Sequence, residues 1–241
     1  LVVGGRGANR YAGGEIACIV DLGGKDTYRG PAAGARGPER PLAVILDLGG
    51  DDTYGKADGC QGAGLLGAGI LVDAAGDDTY RAGRRSQGFA LAGVGILADL
   101  AGEDDYRGGE LCQGAALVGT GVLLDRRGKD AYTGWLYCQG FGGPGGLGAL
   151  LEGGGDDAFA AWQGPHLSSY PEDRKQGERN SMSQGVAVGF RRIADGGLGV
   201  LLDRAGSDRR RVGQFSCGGG YFFGLGLVHD RAGDDEYRVA R

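Results

Sequence analysis

Asp73-Ala74-Ala75-Gly76-Asp77-Asp78-Thr79-Tyr80 is followed, 26 residues on, by Asp99-Leu100-Ala101-Gly102-Glu103-Asp104-Asp105-Tyr106. Both read D-x-x-G-x-D-x-Y. The string also occupies 21–28, 47–54 and 125–132 at the same spacing, looser copies stand at 152–159 and 203–210, and the string returns at 230–237. A weak copy, 4–11, precedes them at a shorter spacing. Two further elements keep register. Gln-Gly begins at Gln61, Gln87, Gln113 and Gln139, seven residues after each tyrosine, and a G-x-G-x-L-x-D string closes on Asp73, Asp99 and Asp125.

A unit of this length cannot bury a hydrophobic face alone, so the copies must stack and share a continuous core. Within each unit the apolar run is short, as in Ile70-Leu71-Val72, and the remainder is turn chemistry. Two helices per repeat are excluded by composition. There are 55 glycines in 241 residues, and each interior glycine costs a helix ~1 kcal/mol relative to alanine. The remaining architecture is all-β: a single-stranded parallel β-solenoid (β-helix) of about eight 26-residue coils, one domain over 1–241. Residues 1–41, with Pro31, Pro38 and Pro41 in place of glycines, read as a cap of atypical coils or an edge guard against strand addition. Residues 160–196 break the period and read as irregular insertions between coils.

The bulk numbers exclude some functions. A formal net charge of −5, from 26 basic and 31 acidic residues, argues against a nucleic-acid partner. No apolar run approaches the ~18 residues of a membrane span. The five cysteines form no C-x-x-C pair, which excludes a zinc knuckle. The chain starts within a repeat, so a domain cut from a longer protein is expected.

Stacking converts each repeat position into a column. The tyrosines should form an inward ring ladder and the glutamines an amide ladder. Cys60, Ser86, Cys112, Cys138 and Ser183 share one slot, read as small buried thiols and hydroxyls. Three consecutive apolar residues precede each first aspartate, and strands alternate their faces. An apolar stripe must therefore face outward, which predicts a covering layer: a second copy in a homodimer, or the rest of a longer chain.

Two acidic columns run along the stack. Asp47, Asp73, Asp99 and Asp125 belong to the first, and Asp52, Asp78, Asp104 and Asp130 to the second. Like charges one strand spacing apart repel, so something must offset them. One answer is Ca²⁺, which takes carboxylate and turn-carbonyl oxygens. The other is turn capping, in which each aspartate accepts N–H bonds from its own turn. Nearby Lys25, Arg29, Arg81, Arg107 and Lys129 would then balance the charge.

Leu48-Gly49-Gly50-Asp51-Asp52-Thr53-Tyr54 resembles the second half of the RTX nonapeptide of calcium-binding β-rolls, G-G-x-G-x-D-x-hydrophobic. The resemblance covers about eight residues of each unit and departs from those rolls in its period. It implies calcium ligation by Asp52, Asp78 and Asp104.

Insertions in solenoids form loops on one face, which often binds. Ser181, His166 and Asp173 could make a Ser/His/Asp hydrolase on paper, without the G-x-S-x-G elbow that exposes such a serine. Tyr170, Arg179, Arg191 and Arg192 are candidate ligand contacts. Two readings of function follow. One is a non-enzymatic structural or interaction module, a spacer or adhesion domain, calcium-stabilised or not, in an extracellular or cell-surface setting. The other is a carbohydrate-binding or carbohydrate-active β-helix whose polysaccharide lies near 160–196. Equal carboxylate pairs in every coil favour the first.

Overall fold

The computed structural model describes residues 1–12, 16–161 and 180–239. It is the expected all-β parallel solenoid of about eight turns. Among the described residues its main walls are two parallel sheets, each with a run of nine stacked strands. The long sheet holds the apolar strands that end on the first aspartate, such as Leu42–Asp47, Ala68–Asp73 and Leu198–Asp203. The tyrosine sheet holds the short strands after each D-x-x-G turn, from Arg10–Ala12 to Glu236–Val239. Register follows the repeat residue for residue, with Leu71 beside Leu97, Asp73 beside Asp99 and Tyr80 beside Tyr106.

The core lies between these walls. Ile19, Ile45, Leu71, Leu97, Leu123, Leu150 and Leu201 face in from the long sheet and meet the tyrosines. The rings stack from Tyr11 to Phe159, as the ladder reading required, with centroids 4.7–4.9 Å apart and planes within 16°. Each offset-stacked pair adds ~0.5–1.5 kcal/mol beyond its buried area. The weak first copy is a genuine rung, because Tyr11 stacks on Tyr28.

After the tyrosine strand the chain returns through the Gln-Gly segment, and it crosses the inner face of the long sheet at backbone contact. A Cβ on Gly69 would lie 2.0 Å from the Ala63 carbonyl oxygen, and one on Gly62 would lie 1.8 Å from that of Ile96. The G-x-G and Gln-Gly glycines are thus required by this crossing. The return segment forms a third, shorter wall of strand pieces such as Gly34–Arg36 and Ala63–Leu65, with a second small core at Phe89, Ala115, Phe141 and Val186. Gly34–Arg36 is the free edge of this third wall, and Pro31, Pro38 and Pro41 flank it.

The glutamines do not form an amide ladder. The backbone at Gln87 is left-handed (φ 54°), which turns its amide to the carbonyls of Tyr80 (3.1 Å) and Arg107 (3.4 Å). Gln61 and Gln113 repeat this arrangement, and the Oε1 atoms take no hydrogen bond. Among the described residues no helix is long and apolar enough to cross a membrane.

The D-x-x-G glycine is the tightest point of the stack. A Cβ on Gly76 would sit 1.8 Å from the Gly50 carbonyl oxygen, and φ there is 146°. Gly76→Ala is expected to cost more than ~2 kcal/mol in urea or thermal melts. Gly5→Ala, with nothing within 4 Å of the new methyl, should change stability by less than ~0.5 kcal/mol.

Candidate functional site

The chemistry-bearing side chains of the repeat meet at the corner between the two main walls. The D-x-x-G turn puts both aspartates of each coil there, and the tyrosine strand aims its hydroxyl at the same corner. Tyr54 donates to Asp73 Oδ2 at 2.5 Å, Tyr80 to Asp99 Oδ2 at 2.6 Å and Tyr106 to Asp125 Oδ2 at 2.7 Å. Tyr11, Tyr28 and Tyr132 do the same to Asp21, Asp47 and Glu152. Each ring thus bonds the carboxylate of the following coil.

The other oxygen of the first column caps its own turn. Asp47 Oδ1 accepts the Gly49 N–H at 3.0 Å and Asp99 Oδ1 the Ala101 N–H at 3.0 Å. The second column bonds between coils instead. Asp52, Asp78 and Asp104 each accept, through Oδ1, the backbone N–H of the second-column aspartate one coil earlier, at 2.6 Å. Their Oδ2 atoms, with those of Asp130 and Asp157, are buried and take no hydrogen bond.

These carboxylates converge in triads that link adjacent coils. Oxygens of Asp47, Asp52 and Asp73 lie within 4.8 Å of one another, as do those of Asp73, Asp78 and Asp99, and of Asp99, Asp104 and Asp125. Asp125, Asp130 and Glu152 continue the series. Stacked, buried acids of this kind could hold a metal ion. Arg29, Arg81 and Arg107 do not balance them. Each follows an inward tyrosine, so strand alternation turns it out to solvent. Arg107 pairs with Asp105 and Lys25 with Asp51, both at the surface.

Burial therefore governs the ionisation. Loss of hydration, with repulsion from neighbouring carboxylates, pushes Asp52 up to about 8, Asp78 to about 10, and Asp104 and Asp130 to about 9. Burial also raises Asp73 to about 7, against the lowering effect of the Tyr54 hydroxyl. Asp125 in the first column also reaches about 10 and Asp157 in the second about 7, so burial holds protons in both columns.

One coil solves the charge problem differently. Phe159 has no hydroxyl to offer Asp203, and the next occupant of the ring slot is Arg210. Its buried guanidinium lies 4.4 Å from the Phe159 ring centroid. Nη2 donates to Asp203 Oδ2 at 2.7 Å, Asp230 Oδ2 at 2.9 Å and Asp208 Oδ2 at 3.2 Å. These three acids correspond by register to Asp47, Asp73 and Asp52. Sequence reading missed Arg210. The available signal was an arginine in the slot that follows the hydroxyl-less Phe159.

The remaining candidates separate. His166, Tyr170, Asp173 and Arg179 lie outside the described residues. Ser181 is fully buried, with its Oγ 2.6 Å from Ser216 Oγ and accepting the Gly213 N–H at 3.0 Å. Arg191 and Arg192 are exposed, and Arg191 sits 4.7 Å from the Phe222 ring centroid. Arg191 borders a cleft of about 470 Å³ lined by Tyr137, Met182, Phe215, Tyr221 and Phe222. Cys60, Cys112 and Cys138 are free and buried, and burial pushes Cys60 and Cys138 up to about 11. They are inert in that state. No protein family, curated protein or solved structure matches the chain.

Folded carboxyls raised above the unfolded value stabilise fully below about pH 4, and that contribution is lost as pH rises through the folded values. The melting temperature is expected to be highest near pH 4 and to fall progressively from there, levelling off between about 7 (Asp73) and about 10 (Asp78) as each folded value is passed. Circular-dichroism melts across this range check it, and Asp78→Asn should flatten the slope. A melting temperature that climbs with pH would contradict the buried protons.

Arg210→Met leaves three buried acids without their cation and should cost ~3–5 kcal/mol in urea melts. Phe159→Tyr combined with Arg210→Tyr restores the ordinary repeat and should recover most of that loss. If the double variant is no more stable than Arg210→Met, the equivalence of the two arrangements fails.

Proposed function

We propose that this solenoid is a non-enzymatic structural or interaction module, a rigid spacer of adhesion type. One observation carries the reading: the repeated tyrosines, glutamines and column aspartates point inward, and each is bonded to its own coil or a neighbouring one. General acid–base work needs a carboxylate within reach of a substrate. Here the tyrosine–aspartate corner is closed to solvent in every coil that has neighbours on both sides. Such a role suits an extracellular or cell-surface setting.

Within this reading, protons and Arg210 neutralise the acid columns. Calcium takes six to eight oxygens. Each triad supplies three carboxylates whose Oδ1 atoms are engaged by backbone N–H groups. A shared proton needs only two oxygens, which suits the unpartnered Oδ2 atoms of the second column. Melts in millimolar calcium and in chelator should agree to within ~2 °C, because an ion that does not bind the folded state leaves its stability unchanged. A rise of many degrees in calcium would place the ion in the triads and make the module calcium-stabilised.

The cleft beside Arg191 favours a second reading, carbohydrate binding, because the aromatic side chains of Tyr137, Phe215, Tyr221 and Phe222 line it. A glycan array separates the two. Binding that disappears in Tyr221→Ala and Phe222→Ala supports the polysaccharide reading, and silence leaves the spacer.

A further inference from the structure

The two main walls differ on their outer faces. The tyrosine sheet turns Arg29, Arg81, Arg107 and Arg211 outward, with threonines between them. The long sheet turns out Val44, Ile70, Ile96, Val122, Val200 and Leu227, one column of three. Across all three outward columns of the seven strands from Leu42–Asp47 to Leu225–Asp230, only Thr120 and His229 are polar. No charge interrupts this face. Leu42 is 50% exposed, Val94 40% and Leu225 66%.

Its size matches an interface. Seven strands at ~4.8 Å and about six residues at ~3.3 Å give roughly 34 by 20 Å, on the order of 700 Å². A standard stable interface takes ~800 Å² from each partner, and the largest apolar patch on an ordinary monomer is ~300–600 Å².

Its chemistry narrows the occupant. A helix would cover only one strip of so wide a face. The same face of a second copy is equally wide and uncharged, so joining the two leaves no unpaired charge buried.

We propose that two copies of this chain pack through the outer faces of their long sheets, related by a two-fold axis, as a β-sandwich with the polar tyrosine sheets outside. Aligned sheets pack ~10 Å apart with interdigitating side chains. Small Ala98 and Ala149 amid larger neighbours offer depressions for this.

Sedimentation velocity and light scattering on the wild-type chain across a concentration series test it directly. The expected result is a mass twice that of one chain at micromolar concentration. Ile70→Lys with Val122→Lys should weaken association by more than 100-fold while preserving the circular-dichroism spectrum. Thr79→Lys, on the tyrosine sheet, should leave the dimer intact. If the double variant does not fold, Ile96→Lys alone is measured in its place. A wild type that stays monomeric at 100 µM assigns the face to another chain and overturns the proposal. So does a dimer that survives the lysines. A monomeric rod would leave the spacer reading standing, so the two ideas fail separately.

Discussion

Every coil sits one strand spacing above its predecessor in strict register, so each side chain must coexist with its own kind about 4.7 Å away. That constraint governs the rest of the molecule. For leucine and tyrosine, self-contact is favourable and the columns become core. For backbone crossing backbone it is tolerable only without a Cβ, so glycine fills those slots. For aspartate it is repulsive, and the acid corner is organised around relieving that repulsion.

Relief comes in layers. From Asp21 to Asp157, one oxygen of each column carboxylate takes a backbone N–H, either within its turn or from the coil before it. Tyrosine hydroxyls serve the first column, so ring stacking and acid solvation are joined in a single side chain. Protons occupy what is left. Arg210 shows what an ionised alternative requires: a buried guanidinium with three carboxylates around one nitrogen and a ring above it. The corner is therefore best understood as internal solvation of charge.

Much of this was legible before any coordinates. The period specified stacking, stacking specified the ring ladder, and the D-x-x-G string implied that the first aspartate caps its turn. The misreadings have physical causes. Arg81 stands near the acid columns in sequence, yet alternation sends it to the opposite face from Tyr80. The glutamine ladder assumed an extended backbone, whereas these residues adopt the left-handed region, an unusual choice for a side chain bearing a Cβ. Arg210 escaped notice because the slot changed chemistry from ring to cation. The hydrolase candidates His166 and Asp173 lie beyond the described residues, and Ser181 is a buried hydrogen-bonded hydroxyl.

The crossing at backbone contact has a consequence for how such a rod can change. Because Gly62 touches the Ile96 carbonyl of the following coil, neighbouring coils interlock like threads on a screw. A single inserted residue within a strand would misalign several columns at once. A whole inserted coil would misalign none, since its upper and lower surfaces are the ones already present. Length in this protein is thus quantised: it can grow or shrink by genetic duplication in steps of one rung, whereas finer adjustment is confined to excursions outside the three walls.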